Sequence, residues 1–196
     1  MEAIPVGQVA QIKADLIHEV PMPRTNTLYL NTKGGPFADP SVRAAARTSV
    51  ERATIVDRVY EGRADIAEGL LGPALPWAAT ERQNASYIEA LKKRAEAAPA
   101  NGRRIKLGTF TDRAELPEVA VQLEQQLEAA GFIVEQEVRE YQHIEADALA
   151  GKFDAFILSR PLSSTPAIPS PTCSATSPAK APSTSPSSAI RRLTRH

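Results

Sequence analysis

Apolar positions form one helical stripe between Leu116 and Ala130, where Leu116, Val119, Ala120, Leu123, Leu127 and Ala130 share a face. Gly131 supplies a C-terminal stop. On either side the pattern shortens. Ile105 to Phe110 and Phe132 to Val138 read as strands. His143 to Ala150 reads as a short helix closed by Gly151, and Phe153 to Leu158 as a further strand. A strand, a helix and a second strand with this spacing imply a right-handed crossover and a parallel pair. The body is therefore expected to be α/β, with helices packed on a sheet.

The N-terminal part is less regular. Residues 5–20 are weakly amphipathic, with Val9, Ile12, Leu16 and Ile17 at helical spacing, and Pro21 and Pro23 end any helix. Thr27 to Asn31 reads as a short strand, and Lys33 to Ala38 as a loop. Asp39 is a good N-cap with Pro40 at the first helical position, where a missing N–H costs nothing. Val42, Ala45, Ala46, Val50, Ala53, Val56 and Tyr60 then keep helical period, which predicts one helix ending at Gly62. Residues 63–80 read as a loop punctuated by Gly69, Gly72, Pro73 and Pro76. A polar helix is expected near Ala85–Ala97, followed by a turn over 98–102.

Composition changes this picture at Arg160. Residues 1–160 hold all 23 acidic residues and every aromatic, whereas 161–196 is mostly Ser, Pro, Thr and Ala, with Lys180, Arg191, Arg192 and Arg195 as its charges. The expected organisation is thus a domain over 1–160 and a disordered tail over 161–196 that buries too little apolar surface to offset its ordering entropy. The formal net charge of zero hides a body with 19 basic and 23 acidic residues, net −4, which argues against a nucleic-acid-binding body. The basic end RRLTRH reads as a solvated cluster. The single cysteine, Cys173, excludes an intrachain disulfide framework. No apolar run approaches the roughly 18 residues of a membrane span, and the first twenty residues do not read as a secretion signal.

Candidate chemistry is sparse. Lys33-Gly34-Gly35 is not a phosphate-binding loop, and its glycines fit a turn. His18, His143 and His196 have no metal spacing, and Glu145 and Asp147 near His143 read as a polar helix face. Glu115, Glu118, Glu124 and Glu128 read as a solvated face opposite the leucines rather than as acid–base pairs. Trp77 either stacks on a ligand or plugs a gap beneath its loop. Arg43 caps carbonyls or pairs with Asp39, with the salt bridge favoured. These residues name no catalytic site, no metal site and no cofactor.

The order of motifs resembles the peptide/nickel ABC-transporter solute-binding proteins, family 5. Leu30-Asn31, Asp39, Val42-Arg43-Ala44, Arg52-Ala53-Thr54-Ile55-Val56, Gly62 and Pro73 to Trp77 carry the first half of the resemblance. Ile105 to Phe110, Glu115-Leu116-Pro117, the leucine-faced helix to Gly131, Ile133-Val134 and Gly151-Lys152-Phe153-Asp154 carry the second. The resemblance covers about residues 5–160. Glu51 stands where the family has Asp, and Ser49 where it has a small apolar residue.

The resemblance implies part of a type II periplasmic-binding-protein lobe with a βαβ core. It also implies a carrier of a peptide, metal chelate or other small solute, delivering to an ABC permease and performing no chemistry. Family members are longer, with two lobes closing around the ligand. This chain is therefore expected to be a fragment of the C-terminal lobe region that binds no solute alone. The family works in the periplasm or at the cell surface; the chain as given reads as cytoplasmic. Ligand-contacting residues stay unassigned, with Trp77 and Arg160 as candidates only. With synonymous recoding, the neighbouring frame of the tail yields a family-like stretch with Gly-Asp-Pro, aromatic residues and a Cys pair. A frameshift near Arg160 is accordingly expected. A self-standing α/β enzyme with a pocket around Glu115 or His143, or an interaction protein with a Ser/Thr/Pro stalk, are the other readings.

Overall fold

Four strands build one sheet: β1 (Arg24–Leu30), β2 (Arg104–Phe110), β3 (Ile133–Arg139) and β4 (Ala155–Pro161), in the order β1-β4-β2-β3. The computed structural model describes residues 6–9, 11–20, 24–69 and 76–161; the side chains of Pro76, Ala79, Glu81, Arg160 and Pro161 are outside that description. Of the tail expected over 161–196, Pro161 closes β4, and residues 162–196, with Cys173, His196 and the basic end, lie outside the described residues.

β2 runs parallel to β3 and to β4, while β1 runs antiparallel to β4 with Leu30 opposite Ala155 and Arg24 opposite Pro161. Helix α6 (Glu115–Ala129) makes the β2-to-β3 crossover, and α7 (Tyr141–Leu149) makes the β3-to-β4 crossover. Both crossovers step in opposite directions from their strands, so right-handedness puts α6 and α7 on opposite faces.

The core lies mainly on the α6 face. Ile105 and Leu107 of β2, Ile157 of β4, and Leu116 and Leu127 of α6 are all at most 1 % exposed. Each such side chain contributes roughly 1.5–3 kcal/mol on burial. Phe37, Val42 and Val59 extend this core toward α2 (Pro40–Ser49) and α3 (Arg52–Tyr60). On the other face, α7 inserts its fully buried Ile144, and Tyr141 meets Phe110 edge-on at 5.0 Å.

The crossover unit follows the sequence pattern closely, with the last strand shifted two to three residues toward the C-terminus. The N-cap at Asp39 is present: its Oδ1 accepts from the Ser41 N–H at 2.8 Å. Four segments differ from expectation. The helix expected from Asp39 to Gly62 is two helices, because Val50 and Glu51 are extended. The Thr48 hydroxyl bonds back to the Ala44 and Ala45 carbonyls and the Ser49 hydroxyl to Ala46, which competes with helix continuation. The expected loop over 63–80 contains the start of α4 (Pro76–Arg82), where Pro76 sits at a position that needs no N–H. The polar helix is shorter, α5 (Ala85–Lys92), capped by Asn84 through the Ser86 N–H at 3.0 Å. Within 5–20 the described residues show only α1 (Val6–Val9) and one 3-10 turn over Ala14–Leu16.

Candidate functional site

The two ends of the sheet carry different chemistry. At the amino-terminal end of the parallel strands, the residues that carried the family resemblance meet one another. The Asn31 N–H donates to the Asp154 carbonyl at 2.8 Å, and its side-chain Nδ2 donates to Gly151 O at 3.3 Å. Asp154 Oδ2 accepts from the Lys106 N–H at 2.9 Å, and the Asp154 N–H returns to Lys106 O at 3.0 Å. Gly35 has a φ of +67°, and a Cβ there would lie 2.4 Å from Asp154 Oδ1. Arg43 Nη1 donates to the Phe37 and Ala38 carbonyls at 2.7 and 3.0 Å. The favoured Arg43–Asp39 salt bridge is thus replaced by carbonyl capping, and Asp39 instead lies 3.7 Å from Arg103. Of the Lys33-Gly34-Gly35 glycines, Gly35 serves this junction, while Gly34 has nothing within 4 Å of a Cβ. It is a scaffold: the side chains of Asn31, Arg43 and Asp154 bond to backbone groups, and Asp39 caps α2.

The carboxyl end is different. β2 leads through α6 to β3 on one side, and β4 lies on the other side of β2, so the strand order reverses between β2 and β4. Open α/β sheets place ligands outside the carboxyl ends of their strands at such a point. The residues there are polar. Arg24 Nη1 donates to the Ser159 hydroxyl at 3.5 Å. Asn26, opposite Ser159 in the β1–β4 register, donates through Nδ2 to the Tyr60 hydroxyl, and its Oδ1 is buried with no hydrogen-bond partner among the described residues. Arg113 Nε pairs with Glu115 Oε1 at 2.7 Å at the start of α6. Burial pushes the Tyr60 phenol up to about 12, and the negative charge of Glu115 pushes the same way. Tyr60 therefore stays neutral at physiological pH. Beside this group, Asp112 Oδ2 accepts from the Tyr141 N–H at 2.7 Å and fixes the start of α7.

Sequence reasoning missed Asn26 and Tyr60. The legible signal was a polar residue at an inward strand position, two before Leu28, and a tyrosine on the apolar stripe of α3. The flagged residues disperse. His18 is exposed. His143 is exposed too, next to Gln142 and 3.7 Å from Glu140. Glu118 and Glu128 are exposed, Glu124 is half-buried and Glu115 is held by Arg113. Trp77 sits in α4 rather than in a loop, about half exposed, while the next residue, Ala78, is buried. Arg160 is placed by its backbone alone, opposite Thr25. Among the described residues no group of three or more His, Cys, Asp or Glu is arranged to hold a metal, and no helix is long and apolar enough to cross a membrane.

The model of the bacterial extracellular solute-binding proteins, family 5, matches residues 1–180. The chain belongs to that family. It is a family of solute-binding proteins and not of enzymes. The match passes the expected domain boundary at Arg160. No curated protein matches in sequence. Among solved structures, this family 5 chain resembles the oligopeptide-binding protein AppA from Bacillus subtilis in complex with a nonapeptide, with 18% identity and a TM-score of 0.61, covering 82% of this chain and 36% of AppA. It also resembles the ABC transporter-associated periplasmic binding protein DppA from Helicobacter pylori in complex with peptide STSA (19%, TM-score 0.60, covering 82% of this chain and 32% of DppA). A third is NikA from Staphylococcus aureus in complex with Ni(L-His)2 (21%, TM-score 0.59, covering 80% of this chain and 35% of NikA). At these identities the likeness is one of fold. The chain spans about a third of the length of these relatives.

Proposed function

We propose that this chain contributes part of the substrate-binding component of an ABC importer for peptides, nickel chelates or related small solutes, with a permease as its membrane partner. The observation that carries this reading is the family 5 match over residues 1–180. The solute-facing end is the carboxyl end of the sheet, where Arg24, Asn26, Tyr60, Arg113, Glu115 and Ser159 present charged and hydrogen-bonding groups. The opposite end is consumed by the Asn31–Asp154 junction. Solute capture in a two-lobed carrier works by hinge closure, which buries the ligand between both lobes. Contacts from one face alone leave most of a ligand's surface in water. The chain alone therefore holds no peptide with useful affinity.

A chimera tests this reading. Residues 24–161 replace the structurally matching segment of AppA, and nonapeptide binding is measured by calorimetry alongside a thermal melt. The expected result is a folded chimera that binds peptide, weakened at least tenfold by Arg113→Ala. A chimera that melts cooperatively yet binds none, or binds equally well with Arg113→Ala, overturns the reading.

A further inference from the structure

Helix α3 does not cap its own start. Its N-cap residue, Glu51, makes no side-chain capping bond, and its first turn holds no acidic residue. The start is gripped from α6 instead. Gln126 accepts from the Glu51 N–H at 2.8 Å and donates to the Glu51 carbonyl at 3.3 Å. Hydrogen bonds are directional, so this pair fixes where α3 begins and how it is turned about its axis. Ile55 and the buried Val59 hold α3 against the core, but apolar contact is non-directional and leaves that register free.

The far end of α3 reaches the carboxyl end of the sheet. Tyr60, its last residue, meets the Asn26 side-chain amide of β1, and the charges of Glu115 and Glu118 at the start of α6 act on its phenol. α3 therefore packs antiparallel along α6, with Gln126 at one end and Glu115 at the other. The spans agree. At about 1.5 Å per residue, α3 rises about 13 Å from Glu51 to Tyr60, and α6 about 16 Å from Gln126 back to Glu115. Just past Tyr60 the Glu61 and Gly62 N–H groups both close onto the Val56 carbonyl. A short helix tied at both ends moves as one body, so a slip or turn at Glu51 is carried to Tyr60.

We propose that Gln126 is a positioning residue for the solute end: by fixing the start of α3 it sets the Tyr60 hydroxyl against Asn26 at the other end of the helix. That this end faces solute rests on the function proposed above, whereas the link along α3 is tested without any solute.

The side-chain amide signals of Asn26, followed by nitrogen–proton NMR of the full chain, report on the link, with circular-dichroism melts as fold control. Tyr60→Phe removes the hydroxyl and marks where these signals lie once the contact is lost. Gln126→Met keeps the length of the side chain and removes both bonds. It is expected to move the Asn26 signals toward their Tyr60→Phe positions. Gln126→Glu, which keeps the acceptor and loses the donor, is expected to move them part of the way. Gly102→Ala strains a turn at φ +69° at the other end of the sheet and should leave them in place. In a double-mutant cycle by urea unfolding, the losses from Gln126→Met and Tyr60→Phe are expected to be non-additive, although the two residues share no contact. Asn26 signals that ignore Gln126→Met, signals that move as far with Gly102→Ala, or an additive cycle would each overturn the proposal. In the AppA chimera, Gln126→Met is expected to weaken nonapeptide binding roughly threefold, and unchanged affinity would also overturn it. A parent chimera that binds no peptide strikes the solute reading alone, and the Asn26 signals still decide the link.

Discussion

The side-chain amide of Gln126 closes both backbone groups of Glu51: its Oε1 accepts from the Glu51 N–H at 2.8 Å and its Nε2 donates to the Glu51 carbonyl at 3.3 Å. The break between α2 and α3 thus has its hydrogen bonds completed by α6, 75 residues later. Gln126→Ala is expected to lower stability by about 1 kcal/mol in urea unfolding, as two partly solvated bonds are lost. A change within error would mean that the break is held by other contacts.

That break was invisible in the sequence, because the apolar spacing from Val42 to Tyr60 runs through it without interruption. One competing signal, Gln126, sits in another helix, where periodicity has no access to it; the other, the Thr48-Ser49 pair, is local but carries no weight in an apolar pattern. The crossover unit was legible for the opposite reason. Leu116, Leu123 and Leu127 face one way, and Gly131 and Gly151, with φ of +92° and +77°, supply the stops. Of the site, sequence disclosed the motif residues but not their use. Asn31 and Asp154 marked the family and Gly35 read only as a turn glycine, yet all three build the scaffold end. Asn26 and Tyr60, 34 positions apart, acquire meaning only when α3 packs on β1.

Gly35→Ala should be costly twice over, through the left-handed backbone and through the 2.4 Å approach to Asp154 Oδ1. Gly62, at φ +74° with nothing within 4 Å of a Cβ, isolates the first contribution. Gly62→Ala is expected to cost about 1 kcal/mol and Gly35→Ala clearly more. Equal losses in thermal unfolding would show that the Asn31–Asp154 junction yields without cost.

Leu116 is fully buried on the α6 stripe, whereas Glu118 in the same turn is exposed. Leu116→Ala should cost about 2–5 kcal/mol. Glu118→Ala should stay within about 0.5 kcal/mol. Chemical denaturation of both variants checks the orientation of α6, and a reversed ranking would put the wrong face inward.

Acid should weaken the fold through a surface ion chain. Lys152 and then Arg139 hold the Asp147 carboxyl below the usual range, and Lys106, then Arg139, do the same for Glu137. Since both folded values are depressed, their stabilisation is present above the ordinary carboxylate range of about 4 and is lost as pH falls through the folded values. Asp147→Asn should flatten the stability profile below about pH 4. At the alkaline end the sign is opposite. Tyr60, raised to about 12, contributes below the ordinary phenol value of about 10, and that contribution fades toward pH 12. Tyr60→Phe should remove this alkaline slope, and an unchanged slope would assign it elsewhere.

The most direct test of the division between a scaffold end and a solute end is a nitrogen–proton NMR titration of the chain with a nonapeptide. The account predicts no saturation below about 1 mM, with the small shifts that arise confined to Asn26, Tyr60, Arg113 and Ser159. Saturable micromolar binding, or shifts centred on Asn31, Gly35 and Asp154, would contradict it.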